Sequence, residues 1–401
     1  MGLPPVAATL ILATLAHAML WSFRGEDIDI FLAPWFEHIR ATGMIDAFST
    51  PFSNYTPPYL YLLALTTPLA AILPVIDIIK LLSVLGTVAL AGAVWRLLIA
   101  TGAPTPARGA ALIFLLPSTL LNAPLLGQCD AMWAACCVMA LAMATERRHA
   151  AMLAWLGLAV SLKLQAVFLG PFVVALLVNR HVPLRLWVIA PATAFATLMP
   201  AWAAGWPIGD LTTIYLRQAG QYNALSLNAP NLWVIVQDLP HAGIWPLEGL
   251  AFTLALGTGA AFIAWLIARG ITTETILPAA LLGVLLVAGT LPHMHERYFF
   301  LCDTLALAIA LTRRTRADWA IAALIQAGST LAILGYVLDA HALVMIGAVA
   351  MIVATYHAAT MIGMSAAVAV DSVDAIAPTQ VDTVTSWPEP GAGNAAYQTN
   401  A

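Results

Sequence analysis

The stretch ILPAALLGVLLVAGTLPHMHERYFFLCDTLALAIALTRRTR, residues 276–316, holds two apolar runs, a polar turn between them and an arginine cluster at its end. The runs belong to apolar blocks at 272–290 and 298–312. Neither alternates polar with apolar as a half-buried strand would, and each is long enough for a helix. The turn carries His293, His295, Glu296 and Arg297 within five residues. Ionisable groups near a bilayer are costly, and those that persist there generally have a function.

The rest of the chain repeats this pattern. Of its 401 residues 61% are hydrophobic and 9% charged, against about 25% charged in a soluble domain, and the mean hydropathy is +0.88. A soluble globule is excluded, and the class implied is an all-α polytopic membrane protein. A membrane β-barrel would show short alternating segments instead. The net charge of −4 says little about partners, and no basic run suggests nucleic acid. Cys129, Cys136, Cys137 and Cys302 lie in or beside apolar blocks without ligand spacing and read as packing residues. The first block lacks a basic flank, so it reads as an uncleaved span rather than a signal peptide.

Apolar blocks predict about twelve membrane passages, near 5–22, 75–97, 107–122, 130–145, 151–162, 165–178, 187–205, 248–268, 272–290, 298–312, 317–337 and 341–363. The fifth and sixth are short enough to be half-helices. With the N-terminus inside, the inner loops hold Arg96, Arg108, Arg147, Arg148, Arg180, Arg185, Arg269, Arg313, Arg314 and Arg316. These are ten of the sixteen Lys and Arg residues, the bias expected of cytoplasmic loops. Residues 24–74 then form a long first outer segment. Within it DIDIFLAPWFEHIRATGMI places Phe31, Trp35, His38 and Ile39 at helical spacing, as an interfacial helix would, and NYTPPYLYLLALTTPLAAIL reads as interfacial or re-entrant. Residues 206–247 form a second outer region. The membrane domain is expected over 1–365, with 366–401 a polar, disordered cytoplasmic tail.

In this threading the polar residues at outer span ends form one set. Glu26, Asp27 and Asp29 come from RGEDIDIF; Asn54, Tyr55 and Tyr59 from SNYTPPY; Gln128 and Asp130 from LLGQCDAMW; Lys163 and Gln165 from SLKLQAVF; and Arg217, Gln221, Asn228 and Asn231 from the second outer region. Each has a plainer reading. Asp130 could cap a helix, Lys163 could snorkel to headgroups, HMHERY could be a hydrated turn or, by its His-x-His spacing, a metal site, and NYT matches a glycosylation acceptor. Independent loops have no reason to share one side, however. As a set, the residue types suit a transfer reaction on a charged lipid. Arg297 with His293, His295 and Lys163 could hold a phosphate, and Asp27 or Asp29 could take a proton from a hydroxyl. Gln128, Asp130, Gln165, Gln221, Asn228 and the rings of Trp35, Tyr55 and Tyr59 suit a sugar, and Glu296 could orient a neighbour.

Five segments in order, DIDIFLAPW, SNYTPPYLYLLAL, LLGQCDAMWAA, KLQAVFLGPF and HMHERYFF, resemble the polyprenyl-phosphate-dependent glycosyltransferases of the GT-C superfamily. The likeness is to bacterial mannosyltransferases related to the second mannosyltransferase of GPI-anchor synthesis, and it covers roughly residues 20–310. It implies a GT-C fold in a bacterial inner membrane with a periplasmic site. The implied donor is polyprenyl phosphate carrying one hexose, usually mannose; transfer inverts the anomeric centre and uses no nucleotide sugar. By motif position Asp27, eight residues before Trp35, matches the catalytic acid, with Asp29 and Glu26 beside it. HMHERY matches the segment near the donor phosphate, and GQCD the segment facing the donor sugar. The acceptor would be a lipid-linked oligosaccharide, a glycolipid or another glycan, and no metal or other cofactor is expected. A flippase for a lipid-linked sugar would need related halves and charges deep within spans, which the sequence lacks. A membrane phosphotransferase would use similar residue types.

Overall fold

The apolar blocks fold as helices. The computed structural model of the chain describes residues 4–219, 224–240, 242 and 245–374. Its helices are α1 (Pro5–Leu20), α2 (Ala33–Thr42), α3 (Pro57–Thr66), α4 (Val75–Ala100), α5 (Pro106–Leu112), α6 (Pro117–Leu120), α7 (Asp130–Thr145), α8 (His149–Leu162), α9 (Gly170–Val178), α10 (Ile189–Ala204), α11 (Ile208–Ala219), α12 (Leu232–Val236), α13 (Leu247–Arg269), α14 (Ile276–Thr290), α15 (Phe300–Arg313), α16 (Arg316–Val337) and α17 (His341–Asp374). Two-residue strands β1 (Ser226–Leu227) and β2 (Met294–His295) pair in parallel.

Among the described residues five helices are long and apolar enough to cross a membrane, six if the bent pair from Pro106 to Leu125 is one span. The chain is an all-α, multi-pass membrane protein. Five further apolar helices have only 10–17 residues, among them α7, α8 and α14. For α7 and α14 burial accounts for the difference. Almost every residue of α7 is buried on all sides, so its length answers to the protein around it and not to bilayer thickness. Two of the long helices lie at the periphery, with only 6% of the Leu184–Ala204 window and 22% of the Leu247–Arg269 window buried, whereas half of the Val75–Ala100 window is buried. The block at 107–122 is broken at Pro117 and ends in a π turn, Leu121–Leu125, with Pro124 inside it. That at 165–178 begins as a 3-10 turn, Leu164–Leu169, before α9. NYTPPYLYLLALTTPLAAIL forms α3 and a 3-10 turn, too short for a span. Of the tail, residues 375–401 lie outside the described residues, and α17 runs past position 365 to Asp374.

Two apolar cores set the frame. The smaller joins Ile28, Leu32, Trp35, Phe36 and Ile39 to α3, the start of α4, and Trp206. The larger is built on α7, α14 and α15. Where α8 crosses α10, a Cβ on Gly157 would collide with the Ala190 carbonyl, so the missing side chain lets the two backbones meet.

Several helices end on a left-handed residue that is not glycine. After α7, Arg147 has φ 58°, and its N–H and that of Arg148 close back on Ala144 and Met143. After α9, Arg180 has φ 53°, with the same closure onto Leu177 and Leu176. Arg314 (φ 58°) ends α15 in a similar way. This backbone satisfies the last carbonyls of a helix.

Candidate active site

A cavity of about 220 Å3 lies where the two cores meet. Asp27 reaches it from the turn before Ile28, whose fully buried side chain anchors the segment. Gln128 reaches it because the π turn Leu121–Leu125 closes on Gly127 at φ +66°; a Cβ there would sit 2.9 Å from the end of the Ile28 side chain, and glycine makes the approach without strain. Lys163 lies between α8 and the 3-10 turn that follows it. The turn between α14 and α15 supplies His293, His295 and Arg297. It is held by β1–β2 pairing, by the His293 N–H donating to the Leu225 carbonyl at 2.9 Å, and by a bridge from Asn228 to His295. The segment from Leu225 to Asn228 thereby fixes the HMHERY turn.

Five charged side chains form one network. Arg297 Nη1 lies 2.6 Å from Glu296 Oε1, its Nη2 2.9 Å from Asp27 Oδ2, and its Nε 3.4 Å from Asp130 Oδ2. Lys163 Nζ donates to Asp130 Oδ1 at 2.6 Å and lies over the Tyr55 ring. Asp130 also accepts from Asn122 Nδ2 at 2.8 Å and Trp133 Nε1 at 3.0 Å, and Asp27 from Gln128 Nε2 at 2.8 Å. Asp130, Lys163 and Glu296 are buried, whereas Asp27 is 28% exposed. Two cations face three carboxylates, so the network carries a net −1 with the histidines neutral. Burial alone would raise the Glu296 carboxyl; the Arg297 guanidinium and His295 outweigh it and hold the group down at about 2.

Of the residues singled out from the sequence, Asp27, Trp35, Asn54, Tyr55, Gln128, Lys163, Gln165, His293, His295 and Arg297 line the cavity. Asp130 and Glu296 stand behind it, gripping its cations, so Asp130 does not face a sugar directly. Asp29 turns away: it pairs with Arg24 at 2.6 Å, and both side chains are well exposed. Tyr59 is buried behind Tyr55, ring centroids 5.6 Å apart. Asn228 contributes backbone pairing, and Asn231 caps α12. Arg217 pairs with Asp210 outside the cavity. Gln221 lies outside the described residues. Phe31, read from the sequence only as part of an interfacial helix, also lines the cavity, and sequence reasoning missed Phe168, Phe252 and Tyr298 in its lining and the Asn122 and Trp133 contacts to Asp130. Trp133 stood three residues from Asp130, a helical spacing that could have signalled it.

The arrangement offers a half-exposed carboxylate, an amide beside it, and aromatic walls in which Trp35 and Tyr55 are 5.0 Å apart. His293 Nδ1 contacts the Ala224 carbonyl at 2.8 Å, and its Nε2 lies 3.3 Å from Glu248 Oε1. Among the described residues no three His, Cys, Asp or Glu side chains are grouped as a metal ion would need. Comparison with protein-family models and with curated proteins gives no match.

Proposed function

We propose that the chain is an inverting glycosyltransferase of GT-C type. On this reading it has about twelve passages in a bacterial inner membrane and moves one hexose, mannose first, from a polyprenyl-phosphate donor to a glycan or glycolipid acceptor on the periplasmic side. The observation that carries the reading is Asp27. It is the one carboxylate of the network that opens into the cavity, and it stands beside Gln128 among aromatic rings suited to a sugar.

Charge balance refines the roles. Arg297 is already engaged by three carboxylates, so it is not a free phosphate anchor. Asp27 takes the proton of the acceptor hydroxyl as that oxygen bonds to C1 of the sugar. The C1–O bond to phosphate breaks, and its electron pair leaves with the phosphate. Protonated Asp27 no longer needs the guanidinium, and Arg297 Nη2 can turn to the leaving phosphate as negative charge develops there. His293 and His295 lie on the same wall, where the contacts of His293 to the Ala224 carbonyl and Glu248 hold its ring in place. Arg297 thus couples proton uptake to leaving-group stabilisation.

The test is to incubate the purified protein with labelled polyprenyl-phosphate-mannose and a membrane-lipid acceptor extract. Label on a new acceptor that depends on Asp27 supports the reading. Donor moved across the bilayer unchanged, or phosphate transferred in place of sugar, refutes it.

A further inference from the structure

A second large cavity, about 480 Å3, lies at the other end of the same helices. α7 starts at Asp130 and its far turn brings Ala144 to this cavity; α8 leaves it at His149 and ends beside Lys163; α14 leaves it at Ile276 and ends beside Leu291. Helices of 14–16 residues separate the two cavities by about 21–24 Å. Loops that the arginine count assigns to one side, 146–149 and 179–185, meet here.

Its lining combines Arg147, His149, His181, Thr272 and Thr273 with apolar side chains such as Leu176 and Ile271, and includes no carboxylate. Three neighbouring arginines are engaged elsewhere. Arg96 and Arg148 both pair with Glu146, and Arg269 lies over Trp265. Glu146 is therefore engaged away from the cavity. Arg147, His149 and His181 have no side-chain partner among the described residues, and Nδ1 of His149 is buried without a hydrogen bond. The two loops that carry them end α7 and α9 in the same left-handed closure, which turns Arg147 and His181 to the same space.

We propose that this cavity binds a phosphate-bearing anion, either the headgroup of an anionic phospholipid or a soluble phosphate. The chemistry is that of an arginine fork with imidazole and hydroxyl donors. A cationic floor beside apolar walls, between helix ends, is also how headgroups are held at an arginine-rich membrane face. The site is separate from the Asp27 cavity and does not depend on its assignment.

The experiment uses the full chain, purified in a neutral detergent and titrated separately with dioctanoyl phosphatidylglycerol, inorganic phosphate and, as a zwitterionic control, dioctanoyl phosphatidylcholine. Binding is read by calorimetry or native mass spectrometry. Saturable binding of an anionic probe is expected, weakened roughly tenfold in Arg147→Gln, the worth of one charge-assisted hydrogen bond, and similarly in His181→Gln. Arg108→Gln, on the same face but outside the cavity, should bind as wild type. Phosphatidylglycerol binding alone assigns a lipid headgroup; inorganic phosphate binding as tightly assigns a soluble anion. No binding of either anion, or wild-type binding in both folded Arg147→Gln and His181→Gln, overturns the proposal.

Discussion

Replacing Arg297 by alanine removes the one side chain that touches three carboxylates. Its contacts are 2.6 Å to Glu296, 2.9 Å to Asp27 and 3.4 Å to Asp130. Lys163 would remain as the sole cation of the network. Removing one partner of a buried ion pair costs about 3–5 kcal/mol, because the other charge is left uncompensated. Glu296 and Asp130, 2% and 1% exposed, bear most of that cost, and Asp27 at 28% the least. Denaturant unfolding in detergent at pH 7 should therefore show the variant less stable by about that range. The pH dependence has a defined sign. Glu296 is lowered from 4.5 to about 2, so its contribution in the wild type is complete above about pH 4.5 and is lost as pH falls towards 2. In Arg297→Ala the crowded carboxylates take up protons more readily, so acid relieves the variant while it weakens the wild type. The gap should narrow between pH 7 and pH 4. Arg297→Lys should recover only part of the loss, because one ammonium cannot reach three carboxylates. An Arg297→Ala protein as stable as wild type at pH 7, or a gap that widens on acidification, would refute the closed network.

Asp27→Asn should retain the fold and donor binding yet lower kcat on the order of 100-fold or more, the usual worth of acid–base catalysis; steady-state rates would show this, and an active Asp27→Asn beside a dead Asp29→Asn would reverse the assignment. Asp29→Asn should be nearly silent in rate and stability, because exposed ion pairs contribute little. For topology, Leu239→Cys and Arg314→Cys, both at exposed positions, should label differently with an impermeant thiol reagent on intact spheroplasts. The four native cysteines are buried and should stay silent. Labelling at 314 and not at 239 would invert the threading.

Legibility from sequence followed the physics of each feature. Composition alone fixed the class, because 61% hydrophobic residues leave no other solvent for the chain. Asp27, Gln128, Lys163 and the HMHERY turn were readable because polar residues at apolar block ends are rare enough to stand out, and they do line one cavity. Helix length was not readable for α7 and α14, since a helix wrapped in protein need not match the bilayer. Asp29 looked equivalent to Asp27 at a separation of two residues. A helical turn rotates such neighbours well apart, and only one faces Arg297. Glu296 stands next to Arg297 in the chain, but the engagement of Arg297 and Lys163 by Asp27 and Asp130 was hidden because tertiary packing brings these residues together, Asp27 and Arg297 across more than 250 residues of chain.

The left-handed arginines that end α7, α9 and α15 have a consequence for biosynthesis. Arg147, Arg180 and Arg314 occupy a backbone conformation that costs an L-residue about 1–2 kcal/mol and glycine almost nothing. A glycine at any of these positions would make the finished protein more stable. It would also remove a positive charge next to a hydrophobic segment while the insertion machinery is deciding which loops to hold back. Each of these residues is thus under two opposed demands: its charge favours one threading of the nascent chain, and the folded protein carries the backbone strain for as long as it exists.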